Sequence, residues 1–339
     1  MNWDQIRTVA ESPKSYAIHW KAASCGQVIG YLCSYVPEEI ITATGALPYR
    51  ILPDPNPFIV KADAHLQTFC CGMARGVLEE ALAGELNFLN GVVFPHTCDS
   101  IQRLSDIWRI NIDFAFHTDF LVPAKLNTKS SHDYLKNIFL KFKAQIESYT
   151  GTQITNERLE SAVRAHNTLR HLLGRLYALS TRHPKVMNTK DVYALFKAAM
   201  AMDRFELVSF LEELLPELEK NTQENSSLKK RLVLSGTTCN LPDIYSLLSF
   251  CGADVVWDDL CTGMRYFEGM VAEDKDIIEA IADRYISRSI CPAKHAGITR
   301  RGEYLVKAVE QNQADGVIFL RLKFCDPHAF DYPYLRDML

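Results

Sequence analysis

Apolar positions along this chain follow two different periods, and the switch between them divides it into three parts. Up to about residue 125, short apolar runs alternate with segments of helical spacing. Val28-Ile29-Gly30-Tyr31-Leu32 and Gly91-Val92-Val93-Phe94 are continuous apolar runs, as expected of strands covered on both faces. Ala46 to Leu52 reads as an edge strand, because Pro48 cannot donate to a ladder. Pro37 to Gly45 reads as a helix entered at Pro and ended at Gly. Helices over Gly72 to Leu82 and Ser100 to Trp108 follow, then a strand over Ile112 to Phe116. Strands alternating with helices of about ten residues indicate βαβ units and a parallel sheet.

From about residue 130 to 225 no strand-like run occurs. Leu135, Ile138, Phe139, Phe142 and Ile146 lie at helical spacing, as do Leu159, Val163, Leu169, Leu173 and Leu176, and later Phe210, Leu211, Leu214, Leu215 and Leu218. These stripes are read as helix–helix core without chemistry. The polar stretch Asn221 to Lys230 suits a linker. The α/β rhythm then resumes with Leu232-Val233-Leu234-Ser235-Gly236, a helix near Pro242 to Cys251, and the strand Asp254 to Trp257. Helices from about Asp274 to Tyr285 and Gly302 to Asn312 precede the strand Gly316 to Leu320. The expected architecture is α/β: a first Rossmann-like parallel-sheet lobe over residues 1–128, a helical segment over 129–228 and a second lobe over 229–339. The sequence stops inside the helix expected after Cys325, so the second lobe is expected to lack a last strand.

Composition narrows the function classes. The chain is 47% hydrophobic and 23% charged, with a net charge of -4. That balance points away from nucleic acid and anionic membrane surfaces. The start carries no basic and apolar regions of a signal peptide, and no apolar run nears the roughly 20 residues that span a bilayer. A cytoplasmic protein is expected.

Ten cysteines are many for a reducing compartment, and they lack the short paired spacings of a zinc ribbon or ferredoxin. Cys25, Cys239 and Cys251 read as small buried hydrophobes. Cys98 and Cys325 each follow a buried strand, at the sheet end where ligands collect. Adjacent Cys70 and Cys71 precede a helix, whose N-terminal N–H groups lower a thiol pKa. Thiolates so placed suit a soft metal: zinc on three thiolates plus water, or an iron–sulfur cluster. Cys33 also follows a strand-like run and is either a small residue at a tight turn or part of a site wall. Ser34 and Glu39 at that turn are candidates to bind or deprotonate substrate, although Glu39, like Glu38, also suits the helix N-terminus. Arg265 suits a phosphate or an ion pair with Asp258 or Asp259. Cys291-Pro292 reads as a strand closure, and the Lys294-His295 and Arg300-Arg301 pairs as phosphate contacts or solvated surface.

The stretches Tyr31-Leu32-Cys33-Ser34-Tyr35-Val36-Pro37-Glu38-Glu39, Gly45-Ala46-Leu47-Pro48, Cys71-Gly72-Met73-Ala74-Arg75 and Gly91 to Ser100 carry a resemblance. It continues through Asp258 to Phe267, Cys291-Pro292 and Lys323-Phe324-Cys325-Asp326-Pro327-His328. In that order they closely resemble the 2-hydroxyacyl-CoA dehydratase family, which also contains subunits of ATP-dependent benzoyl-CoA reductase. The resemblance implies one [4Fe-4S] cluster on three cysteines, with the fourth iron site left open, in the cleft between the lobes. The family pattern of a Cys four residues before a basic residue selects Cys71, with Arg75, beside Cys98 and Cys325. It further implies an acyl-CoA thioester substrate, a homologous second subunit, and an ATP-dependent iron–sulfur activator delivering single low-potential electrons. Dehydratase members expel water through a ketyl radical, and reductase members reduce an aromatic ring. Non-catalytic cluster-bearing partners share the same motif.

Overall fold

A computed structural model describes residues 2–55, 58–183, 186–221, 229–239, 243–288, 291–294 and 297–339. Among these, β1 (Val28–Tyr31), β2 (Leu47–Arg50), β3 (Gly91–His96) and β4 (Phe116–Leu121) form one parallel sheet in the order β2-β1-β3-β4. A second parallel sheet joins β5 (Lys230–Gly236), β6 (Ala253–Asp259) and β7 (Gly316–Leu320) in the order β6-β5-β7. No helix among the described residues is long and apolar enough to cross a membrane.

The alternation of side chains along a strand explains how the first sheet is covered. Ile29, Tyr31 and Val93 face one side and pack with Leu135, Phe139 and Phe142 of the helix Lys129–Thr150, and with Ile281 and Tyr285 of the helix Ile277–Ser287. Val28, Leu32, Val92 and Phe94 face the other, against Val77 and Leu78 of the helix Gly72–Leu82 and Leu104 and Trp108 of the helix Asp99–Asn111. The apolar cores thus run across the sequence segments: helices from the middle and the C-terminal part cover the first sheet. A third core forms where the helices Trp3–Glu11, Asn156–Arg182, Thr189–Ala199 and Arg204–Lys220 meet.

Several sequence expectations hold with shifted ends. β2 is an edge strand that includes Pro48, and the helix after Pro37 runs Glu38–Ala43. The strand expected over Ile112 to Phe116 lies instead at Phe116–Leu121. The preceding helix continues through Asn111, so the chain needs four further residues to regain the sheet. β4 is an edge strand whose burial alternates, so it lacks the continuous apolar run of β1 or β3. Cys239 is buried as expected, but Cys25 and Cys251 are exposed. Cys25 ends the helix Pro13–Ser24 in a left-handed conformation, and Cys251 follows the last residue of the helix Asp243–Phe250. Most of the expected linker, and Pro242, lie outside the described residues.

One glycine holds the second sheet together. A Cβ on Gly236 would lie 1.9 Å from the backbone oxygen of Leu320, where β5 pairs with β7. Gly236→Ala is therefore expected to force these strands apart and to destabilise the chain by about 2–3 kcal/mol. A urea-unfolding midpoint equal to wild type would contradict this.

Candidate metal centre at three helix N-termini

Cys71, Cys98 and Cys325 each occupy the N-cap of a helix, namely Gly72–Leu82, Asp99–Asn111 and Asp326–Met338. A helix N-terminus carries unpaired N–H groups and a partial positive charge. No cap hydrogen bond of full geometry forms at any of the three. The first-turn N–H groups still act on the sulfurs: Met73 and Ala74 on Cys71, Ser100 and Ile101 on Cys98, His328 on Cys325. Three helices from two lobes thus direct their positive ends at one group of thiols.

Cys71 and Cys325 lie 254 positions apart in sequence, yet their thiols are close enough to act on each other's ionisation. The neighbouring Cys325 thiol is the main reason Cys71 falls to about 7; burial opposes it and the helix N–H groups assist. The same contact, with burial, holds Cys325 well above the usual thiol range. Cys98 is pushed up to about 11, chiefly by burial, with Cys33 and Cys71 adding their charge. Of the adjacent pair 70 and 71, Cys71 makes the contact with Cys325, while half-buried Cys70 packs against the core of the first lobe.

The donor set suits a cluster better than a single ion. Among the described residues, the one group of His, Cys, Asp or Glu with ligand atoms all within 4.8 Å of one another is Asp54, Glu80 and Glu85. Lys14 already stands there, 3.0 Å from Glu80 and 2.6 Å from Glu85. The three cysteines are more widely spread than that. A cluster binds each thiolate on a separate iron, so its ligands stand farther apart than those of one zinc ion.

Cys33 borders this centre. Thr97, the neighbour of Cys98, donates its hydroxyl to Cys33 Sγ at 3.5 Å. Cys33 and Phe324 both take left-handed backbone, with φ of 63° each. For non-glycine residues this costs on the order of 1–2 kcal/mol; Cys33 stands two residues after β1 and Phe324 directly before Cys325. Ser34 is half-buried, and its carbonyl accepts from Arg288, whose guanidinium lies 4.4 Å from the Tyr35 ring centre.

Other expected site residues sit elsewhere. Glu39, a candidate base, is 0% exposed and ion-paired to Arg170 of the helix Asn156–Arg182. Burial works against its charge, but Arg170, His166 and Arg284 outweigh it and hold the carboxyl well below the usual range. Glu38 joins five elements: it accepts from Tyr31, from Arg204 at 3.1 Å and from Tyr266 at 3.2 Å, and His166 stands 3.7 Å away. Arg265 is buried and pairs with Asp259 at 2.8 Å, so its guanidinium is committed to the second lobe. Lys294 is also buried; its ammonium donates to the Val122 carbonyl at 2.9 Å and faces Cys33, Cys98 and Cys291. Arg301 pairs with Asp259 and Asp331, and His295 lies outside the described residues. Thr97 and Glu38 both lie in stretches that carry the family resemblance, and the sequence assigns Glu38 only to its helix N-terminus; the contact of Thr97 with Cys33 and the partners of Glu38 come from the fold.

Asp258, beside the Cys261 loop, accepts from the N–H groups of Leu260 and Met264 and from Tyr177. Burial nonetheless raises its carboxyl to about 6. A raised folded pKa means stability is greatest while the acid is protonated and falls as pH rises from about 4 to 6. Asp258→Asn keeps an acceptor oxygen and is expected to abolish that fall, worth roughly 3 kcal/mol. Parallel pH-stability curves for variant and wild type would count against it.

Two parallel sheets with many helices, and three cysteines each at a helix N-cap, define an α/β protein with a cysteine-rich centre. The chain belongs to the 2-hydroxyglutaryl-CoA dehydratase D-component family, whose family model matches residues 33–339. It is 25% identical over 334 residues to the beta subunit of (R)-phenyllactyl-CoA dehydratase from Clostridium sporogenes, covering 98% of this chain and 88% of that protein. To a benzoyl-CoA reductase subunit of Thauera aromatica it is 28% identical over 330 residues, covering 95% and 84%. To the beta subunit of (R)-2-hydroxyglutaryl-CoA dehydratase from Acidaminococcus fermentans it is 26% identical over 342 residues, covering 99% and 89%.

Proposed function

We propose that this chain is the iron–sulfur subunit of a 2-hydroxyacyl-CoA dehydratase, holding a [4Fe-4S] cluster on Cys71, Cys98 and Cys325 between its lobes. The convergence of these three N-cap cysteines carries the reading. Such a cluster would supply single low-potential electrons, received from an ATP-dependent activator. The chain's own residues prepare its seat: helix N–H groups favour thiolate charge, and the neighbouring Cys325 thiol lowers the pKa of Cys71. Cys33 and Ser34 border the seat, and the apolar cores beneath it exclude water. The enzyme is completed by a homologous second subunit, in keeping with relatives that are themselves subunits of larger enzymes. The acyl-CoA class follows from those relatives.

Anaerobic purification followed by iron and sulfide analysis tests the centre. About four of each per chain are expected, whereas zinc without sulfide would sink the cluster. Turnover of 2-hydroxyacyl-CoA by the chain with its partner subunit, activator and ATP is the expected activity. The reductase relative supports a second reading, in which benzoyl-CoA is reduced instead; offering both substrates decides between them. If the partner needs this chain yet substrate binds to the partner alone, the chain is the electron-carrying subunit.

A further inference from the structure

Away from the thiols, a chamber of about 580 Å³ opens between the start of the helix Pro13–Ser24, the segment after β2 and the helix Thr189–Ala199. Its size falls within the range of small-molecule sites, about 300–1,000 Å³. Its acids are mostly engaged: Asp191 by Arg7 at 3.0 Å, Asp54 by Lys14 at 3.7 Å, leaving Glu11 at the exposed rim. Two cations are not engaged. Among the described residues, Lys190 and half-buried Lys197 line the chamber without an ion pair. Tyr49 lines it too; it is 2% exposed, and its hydroxyl makes no hydrogen bond among the described residues. The first turns of both helices border the same space, and their positive ends favour an anion there.

A second, mainly apolar chamber of about 300 Å³ shares the wall Pro53–Pro55 with the first. It runs between the lobes, past Gly72 and Met73 beside Cys71 and Leu320 to Leu322 before Cys325. A cationic chamber joined to an apolar one that reaches Gly72 and Met73, next to Cys71 in the chain, matches a ligand with a phosphorylated head and an uncharged arm.

We propose that the chamber of Tyr49, Lys190 and Lys197 receives the phosphates of a coenzyme A thioester, whose arm passes Pro53–Pro55 toward Cys71. This inference rests on the acyl-CoA reading above. Each lysine would make a charge-assisted hydrogen bond to phosphate, and Tyr49 would donate its hydroxyl.

Calorimetry on the full chain with coenzyme A, adenosine 3′,5′-bisphosphate and pantetheine tests it. Both phosphorylated probes are expected to bind, more weakly as salt rises, and pantetheine far less. Lys197→Met should weaken coenzyme A about tenfold, and adding Lys190→Ser should take it toward a hundredfold, the scale of one charged hydrogen bond each. Tyr49→Phe, which removes only a hydroxyl, should lose several-fold affinity at an unchanged thermal midpoint. Equal affinity in the folded double variant, or equal binding of pantetheine, would overturn the proposal. Turnover of acyl-CoA by the assembled enzyme without lysine-dependent binding leaves the functional reading standing and this site refuted. Lysine-dependent binding without turnover does the reverse.

Discussion

Cys98→Ser is expected to leave a folded chain that has lost essentially all of its bound iron and brown chromophore. Serine is a better N-cap than cysteine, so the helix Asp99–Asn111 and the core around Leu104 and Trp108 should remain. The change removes only the soft, ionisable sulfur. Cys325→Ser is expected to act alike, since the hydroxyl keeps a hydrogen-bonding group beside Cys71 but not the soft sulfur. Cys70→Ser, one residue away, is expected to retain iron because Cys70 packs against the core. Iron analysis, visible absorbance and circular dichroism on the three variants check this. Retained chromophore in both Cys98→Ser and Cys325→Ser would refute the assignment.

The largest expected effect on stability is that of Arg170→Met. Glu39 is fully buried, and Arg170 is its ion-pair partner. Removing one member of a buried pair strands the other charge and costs about 3–5 kcal/mol, whereas replacing both is far milder. The double variant Glu39→Gln with Arg170→Met should therefore recover much of the loss. The pH dependence supplies a signature. In wild type the Glu39 carboxyl lies below its unfolded value, so the pair's contribution is present at neutral pH and disappears as strong acid protonates it. In Arg170→Met the stranded carboxylate is better off protonated, so the deficit against wild type should shrink as pH falls. A urea series at pH 7 and pH 4 checks both; an equal deficit at the two pH values would show that Glu39 is not the group responsible.

How much of the fold and site is legible in the sequence depends on the range of the interaction. Continuous apolar runs locate β1 and β3, which are covered on both faces, and also β5 and β7, although β7 is a half-buried edge strand and not the buried strand its run suggests. β4 slips because an edge strand alternates and its preceding helix runs on to Asn111. The helical middle segment is plain from spacing, yet nothing in its stripes says that Leu135 and Phe139 cover the first sheet. Arg265 and Glu39 look alike in sequence to residues that grip a ligand. Their buried partners, Asp259 and Arg170, lie in one case 6 and in the other 131 positions away.

The family, the α/β alternation and the candidacy of Cys71, Cys98 and Cys325 follow from the sequence alone, since local periodicity and short ordered words are written along the chain. It took the folded chain to show that these cysteines cap three helices that meet, that Cys71 rather than Cys70 faces Cys325, and that a lysine-lined chamber lies away from them. Those are contacts between residues up to 254 positions apart. They form because the two lobes bury their apolar faces on shared helices, and no one-dimensional pattern records which faces will meet.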